Sequence, residues 1–423
     1  MVKLKYPVCC GVDVHKKSFV ATIALTDRYE NSQYLVRTFS TMNPDLLKFH
    51  DWLIQHQCRD VCMESTGKYW IPIFNYLEDD IRVCLTHPKY VRAIKGKKTD
   101  KKDSKWIVDL FKLDLVRSSF IPPKDFRQLR ELTRFRYKLV GERSAEKNRI
   151  QNCMTISNIG LGSILSDPLG RSSMEVLSYL IAQKDSTLNE EEIKKRLYRT
   201  AKNKSIEIIE AVQGYNIQPD TSMKLMLGKD HIDQLNEMIQ KIDVELLVRI
   251  EPYYDYVELL TTIPGISKQS AIMVLSEIGV NMDVFDSDKQ LTSWCGLTPA
   301  NNESAGKKKS VRISKAGTYL KPMMVQCALA AVKSKKEPYF AQKYFAIKKR
   351  RGHKKAIIAI ARMMMTSIYH MVKNHQAFQP SDYEDFMRPQ ANQRLVVMTE
   401  EAAMKFLQSS GYDISSLVKS NEV

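Results

Sequence analysis

From Pro7 to about Ser118, short apolar runs alternate with amphipathic segments. Val8–Val14 and Phe19–Leu25 predict adjacent strands separated by the polar His15-Lys16-Lys17, and Tyr34–Phe39 predicts a third. Leu46–Ile54 has helical spacing after Asn43, with Pro44 in the first turn. Arg59–Met63 predicts a short strand, Tyr69–Leu77 a helix and Val83–Thr86 another strand. Strands first, then strand and helix in alternation, predict a mixed α/β sheet.

The pattern then turns helical. Between Lys124 and Asn152, the residues Phe126, Leu129, Leu132, Phe135 and Leu139 recur every three or four positions. A second stretch carries Ile232, Leu235, Ile239, Ile242 and Leu246, the 3-4-3-4 spacing of a coiled-coil seam. Such a seam needs a partner, either a second chain in a dimer or higher assembly, or an antiparallel hairpin within one chain. Residues 155–225 read as further helices and loops with no definite placement. From about Glu251, Ile263-Pro264-Gly265-Ile266 separates two helical patterns, the second ending in Ser270–Ile278, and Ser287–Trp294 is a short helix. A glycine-bearing basic loop is expected at Pro299–Ser314, then helices from Thr318 to about Lys333 and from about Lys355 to Val372, and a tail after Asn374 without motifs. The domains expected are 1–120, 121–250 and 251–372, with a tail at 373–423.

Charge narrows the partners. The 423 residues carry 65 Lys and Arg against 48 Asp and Glu, a net charge of +17. Residues 301–355 alone hold sixteen Lys or Arg and two Glu, and residues 88–105 eight Lys or Arg and two Asp. Blocks of one sign point to a polyanion, nucleic acid before membrane. The eight cysteines include no C-x-x-C pair and sit mostly in apolar runs, which favours free thiols in a reducing cytosol over disulfides or zinc. No segment reads as a signal peptide or a membrane span.

Four acids stand where metal chemistry is done. Asp13 ends an apolar strand in Gly11-Val12-Asp13-Val14-His15, and Glu64 ends another in Val61-Cys62-Met63-Glu64. Asp100 and Asp103, three apart on a predicted helix start, project on one face among Lys97, Lys98, Lys101 and Lys102. Singly, each reads as a cap, turn or surface residue. Together they supply the oxygen ligands for two magnesium ions about 4 Å apart against a phosphodiester. The combination resembles the RNase H-like, RuvC-type nuclease fold. His15 reads as a surface residue or a phosphate contact.

The C-terminal half carries one ordered string: Trp294-Cys-Gly296-Leu-Thr-Pro299, Ser304-Ala-Gly306-Lys307, then Arg312-Ile-Ser-Lys315-Ala-Gly317 and Leu320. With Gly11-Val-Asp-Val-His-Lys16, it resembles the DEDD transposases of insertion sequences, the IS110 family, over residues 7 to about 372. While the apolar spacing itself predicts the helical coiled-coil middle, the resemblance implies a RuvC-like domain and a transposase domain, the latter expected to be mainly helical. It also implies a DNA recombinase guided by a structured noncoding bridge RNA, with donor and target DNA as further partners. Its implied catalytic residues are the magnesium-binding Asp13, Glu64, Asp100 and Asp103 and the nucleophile Ser304, and manganese is expected to replace magnesium.

The residues around Ser304 fit that role without requiring it. A serine followed by Ala305-Gly306 and by Lys307, Lys308 and Lys309 approaches a phosphate with electrostatic support, but Ser310 and Ser314 are rivals. Ile263-Pro264-Gly265-Ile266 resembles a helix-hairpin-helix whose Gly265 turn meets a DNA phosphate, and equally a plain helix connection. Arg312 and Lys315 join the expected nucleic-acid contacts. A RuvC-type endonuclease that only hydrolyses DNA explains the acids and leaves the Ser304 string unused. A non-enzymatic nucleic-acid-binding protein explains the charge alone.

Overall fold

Val8–Val14 (β1) is buried from Cys9 onward, and apolar except for Asp13, because it lies at the centre of a sheet covered on both faces. It pairs antiparallel with β2 (Ser18–Thr26), which pairs antiparallel with β3 (Ser32–Ser40). After α1 (Asn43–Gln55), β4 (Asp60–Glu64) returns parallel to β1, and after α2 (Trp70–Leu77), β5 (Arg82–Thr86) lies parallel to β4. The order β3-β2-β1-β4-β5 is the mixed sheet that the strand pattern predicted. The computed structural model describes residues 3–65, 67–88, 91, 100–183, 188–299, 302–304, 307–310, 312–380, 382 and 400–410, with only the backbone at 302–304, 307–310 and 400–401.

The two faces of the sheet follow the period of two along each strand. Cys10, Val12 and Val14 enter one core with Phe19, Phe49 and Trp52, where α1 and α2 pack. Cys9 and Cys62 face the other way, against Ile107, Val108 and Phe111 of α3 (Asp100–Lys112). Burying each large side chain of these cores contributes about 1.5–3 kcal/mol. This first compact unit is Met1–Glu131 with Glu277–Gly279; the second is Leu132–Ser276 with Val280–Val423.

The long helix α4 (Lys124–Ile156) begins in the first unit and, from Leu132 onward, runs antiparallel to α9 (Pro219–Ile250) in the second. Arg136 pairs with Asp243, Arg143 donates to Asn236 at 2.8 Å, and His231 lies 3.2 Å from Glu146, while Leu139, Leu235 and Ile239 fill the space between. The seam therefore closes within one chain, as a hairpin. Phe135, expected on that seam, is exposed; the buried stripe passes through Leu129, Thr133 and Leu139, with the Thr133 hydroxyl 2.9 Å from that of Ser276. A polar residue satisfied across the interface is invisible to a search for apolar periodicity.

The region without a placement folds as α5 (Leu161–Ile164), α6 (Arg171–Ala182), α7 (Glu190–Lys195) and α8 (Ser205–Val212). These helices gather a core of their own around Val176, Leu177, Ile193 and Ile208. Then follow α10 (Tyr254–Thr261), α11 (Lys268–Ile278) and α12 (Asp288–Trp294). The expected basic loop contains a hairpin, β6 (Asn302–Ser304) and β7 (Lys307–Ser310). After α13 (Leu320–Ala331) comes a helix the pattern did not disclose, α14 (Tyr339–Arg351), anchored by buried Tyr339, Phe340 and Tyr344. Its basic C-terminal turn masks the amphipathic signal, and Gly352 (φ +79°) separates it from α15 (His353–Asn374). A further helix spans Glu400–Ser409. All eight cysteines are free thiols. Among the described residues no helix is long and apolar enough to cross a membrane.

Candidate active site

The position of the acids follows from strand parity. Along β1, Cys9, Gly11 and Asp13 face α3, and along β4 so do Cys62 and Glu64, because their neighbours fill the opposite core. The parallel register Gly11↔Cys62 and Val12↔Met63 carries Asp13 and Glu64 out side by side at the strand ends. Asp100 and Asp103 open α3 on the face that continues through buried Ser104, Ile107 and Val108. The helix reaches this position because residue 11 has no side chain. A Cβ there would lie 2.5 Å from both the Ser104 carbonyl oxygen and the Val108 nitrogen. A buried 2.7 Å hydrogen bond between the Thr22 and Ser104 hydroxyls ties α3 to β2 as well.

Asp13 is the buried member of the group. Burial raises the Asp13 carboxyl to about 6; His15 opposes the rise, and the negative charges of Glu64, Asp100 and Asp103 add to it. Such crowding is relieved by a cation. His15, expected at the surface or on a phosphate, is exposed, and its Nε2 is 3.4 Å from an oxygen of Asp13 and 3.4 Å from one of Asp100. Asp13, His15 and Asp100 each offer a ligand atom within 4.8 Å of the others, a spacing that fits one divalent ion. The sequence signal for His15 was its place two residues beyond a strand-end acid. Its backbone N–H donates to Ser18 at 3.0 Å and fixes the turn that aims it.

Ser304 lies in the second unit, on β6 opposite Lys307. The base of this hairpin is closed by the bridge Pro299↔Ile313 and by two glycines. Gly296 (φ +71°) lies so near the Ala316 carbonyl that a Cβ would come within 2.4 Å. Gly317 (φ +66°) lies equally near the Cys295 carbonyl, at 2.1 Å for such a Cβ. Only glycine meets both demands, left-handed backbone and contact without a side chain. The motif glycines thus clasp the two ends of the segment that bears Ser304. The Ser314 hydroxyl accepts from the Ala316 N–H at 3.3 Å, within the turn leading to α13.

Of the expected nucleic-acid contacts, Lys101, Lys102, Arg312 and Lys315 are exposed. Lys97 and Lys98 lie outside the described residues, as do the side chains of Ser304, Lys307, Lys308 and Lys309. Gly265 has φ +88°, and its missing Cβ would fall 2.5 Å from the Cys327 carbonyl and 2.6 Å from the Ala331 nitrogen of α13. Helix packing alone accounts for glycine at this position.

A family model of DEDD transposases of the IS110 type matches residues 10–159, and the model described as "Transposase IS116/IS110/IS902 family" matches residues 257–345. No curated protein matches the sequence. Among solved structures, the resolvase of fowlpox virus in complex with Holliday-junction DNA is similar at 17% identity and a TM-score of 0.18, over 25% of this chain and 72% of that one. The first family model covers the acid-bearing sheet and the second covers the Ser304 hairpin with its flanking helices, so the protein, a DNA transposase, belongs to the IS110 family.

Proposed function

We propose that the protein is a magnesium-dependent recombinase, guided by a structured noncoding RNA, that moves its insertion sequence by cutting and rejoining donor and target DNA through Ser304. The observation that carries the metal part is the grouping of Asp13, His15 and Asp100, whose ligand atoms lie within 4.8 Å of one another. The chemistry supplied by divalent ions in such a site is polarisation of the phosphodiester and stabilisation of the leaving oxygen. Asp13, Glu64, Asp100 and Asp103 hold that charge in place, and His15 orients Asp13 and Asp100 between reactions. Lys101 and Lys102, exposed in the first turn of α3, draw the DNA backbone toward the acids.

In the proposed exchange the Ser304 oxygen attacks phosphorus, the bond to one DNA oxygen breaks, and that oxygen leaves with a proton. The protein–phosphate ester keeps the energy of the broken linkage, so a hydroxyl of the incoming strand reverses the step without ATP. Lys307, Lys308, Lys309, Arg312 and Lys315 supply phosphate contacts around the serine. Two or four copies acting together bring the necessary strands to one place. Sequencing the RNA that co-purifies with the chain, then stripping and restoring it, tests the guide. Exchange that requires one structured RNA species supports the reading; equal exchange without RNA removes guidance from it.

A further inference from the structure

The second unit contains a cavity of about 1560 Å³ that the acid site does not use. One wall is α15, another is Arg312 and Ile313 at the base of the hairpin, and a third is the chain from Gln376 to Pro380. Ile358 and Met363 make part of its floor apolar, whereas its rim is cationic. Lys354 and Lys355 stand in the first turn of α15, Arg362 lies two turns on, about 10 Å along the axis, and Arg351 closes α14. All four are exposed, and no described residue forms an ion pair with any of them. Cations at a helix N-terminus oppose the helix dipole, a cost that an arriving anion removes. The acids nearby are already engaged: Asp382 is held by Lys343 and by the Tyr339 hydroxyl at 2.7 Å, and Asp288 accepts from Thr366 at 3.2 Å.

At one end of the cavity stands Phe378. Its ring stacks on the fully buried Phe340, with centroids 5.4 Å apart and planes at 24°, and its backbone N–H donates to the Thr262 hydroxyl at 3.0 Å. The ring is braced from behind and borders the cavity. An aromatic platform beside a row of uncompensated cations suits a strand whose bases are unpaired; in a duplex the base faces are hidden. Exchange of DNA strands exposes such nucleotides next to each cut. We propose that this groove holds an unpaired segment of a DNA strand, its phosphates on Lys354, Lys355 and Arg362 and one base stacked on Phe378. The proposal rests on the reading of the protein as a strand-exchange enzyme.

The test is fluorescence anisotropy on the full chain with one labelled oligonucleotide of about twelve nucleotides, offered as single-stranded DNA, as duplex DNA and as RNA. Phe378→Leu keeps the apolar bulk and removes the stacking face; Phe378→Tyr keeps both and controls for folding. We expect Phe378→Leu to weaken single-stranded DNA binding about tenfold, with duplex binding within about twofold of wild type and Phe378→Tyr nearly unchanged. Lys355→Glu with Arg362→Glu should lower the salt slope for the single strand by about 1.4, two contacts at about 0.7 each. Equal losses on single strand and duplex, or no loss with Phe378→Leu, would overturn the groove. Tighter binding of RNA than DNA, lost with Phe378→Leu, would overturn the choice of occupant. An Asp13→Asn chain that still exchanges strands would refute the functional reading and leave these binding results intact.

Discussion

Asp13 and Glu64 end two adjacent inner strands of a close-packed sheet, and Asp100 and Asp103 open the helix on its face, whereas Ser304 lies on β6 of a small hairpin in the other unit. Both places depend on glycine, in different ways. Gly11 has ordinary strand backbone and is required because α3 lies against it, so its role is steric alone. Gly296 and Gly317 have left-handed backbone as well as close contacts, so their role is steric and conformational together. The difference teaches that the acid cluster is set by layer packing. The aim of the hairpin is set at its base, in the segments just outside 299–313.

Five substitutions separate the two regions. The largest effect is expected on the acids. Asp13→Asn, Glu64→Gln or Asp103→Asn should lower strand cleavage roughly a thousandfold, about 4 kcal/mol of barrier, while nucleic-acid binding stays near wild type. Gel assays of cleavage beside anisotropy measurements check both halves, and cleavage in chelator-treated, metal-free buffer would sink the metal role. Next comes Gly317→Ala, which forces the hairpin base open and should reduce exchange by about ten- to a hundredfold, as 1–3 kcal/mol of misplacement implies. Stabilisation of the same variant by manganese should be unchanged, and a joint loss of both would erase the separation between the regions.

Gly11→Ala acts on the other side. Overpacking costs about 1–3 kcal/mol where atoms can move, and here two of the obstacles are backbone. The expected result is a melting temperature lower by several degrees and weakened metal binding, read by thermal unfolding with and without manganese. The smallest effect is the pH dependence that Asp13 imposes. Its carboxyl is raised to about 6, above the value in the unfolded chain, so the folded state holds the proton longer. Metal-free protein should therefore lose stability as pH rises from about 4 to 6, and Asp13→Asn should flatten that part of the profile. A profile identical in wild type and variant would show that the acids do not press on Asp13.

Much of this was legible in the sequence where one rule acts alone. Short apolar runs disclosed the strands, and parity along β1 and β4 puts Asp13 and Glu64 on one face. Other features depended on contacts between distant segments. The role of Gly11 needs the helix that lies 2.5 Å from its missing Cβ, and His15 needs Asp100, 85 positions away, to become part of the acid cluster. Phe135 misled because apolar spacing fits several stripes on one helix, and Thr133 won through a hydrogen bond to Ser276. The helix at Tyr339–Arg351 was obscured by its basic last turn, and the hairpin at 302–310 by lysines that read as loop.

The central claim, that the acids and Ser304 serve one reaction, meets its most direct test in a covalent adduct. Labelled DNA carrying the element's end is incubated with the full chain, its co-purified RNA and magnesium, then run on a denaturing gel, and any shifted band is mapped by peptide. We expect an adduct on Ser304 in the wild type, none with Ser304→Ala and none with Asp13→Asn. Cut DNA with free ends and no adduct, or an adduct mapping to Ser310, Ser314 or a tyrosine, would contradict it.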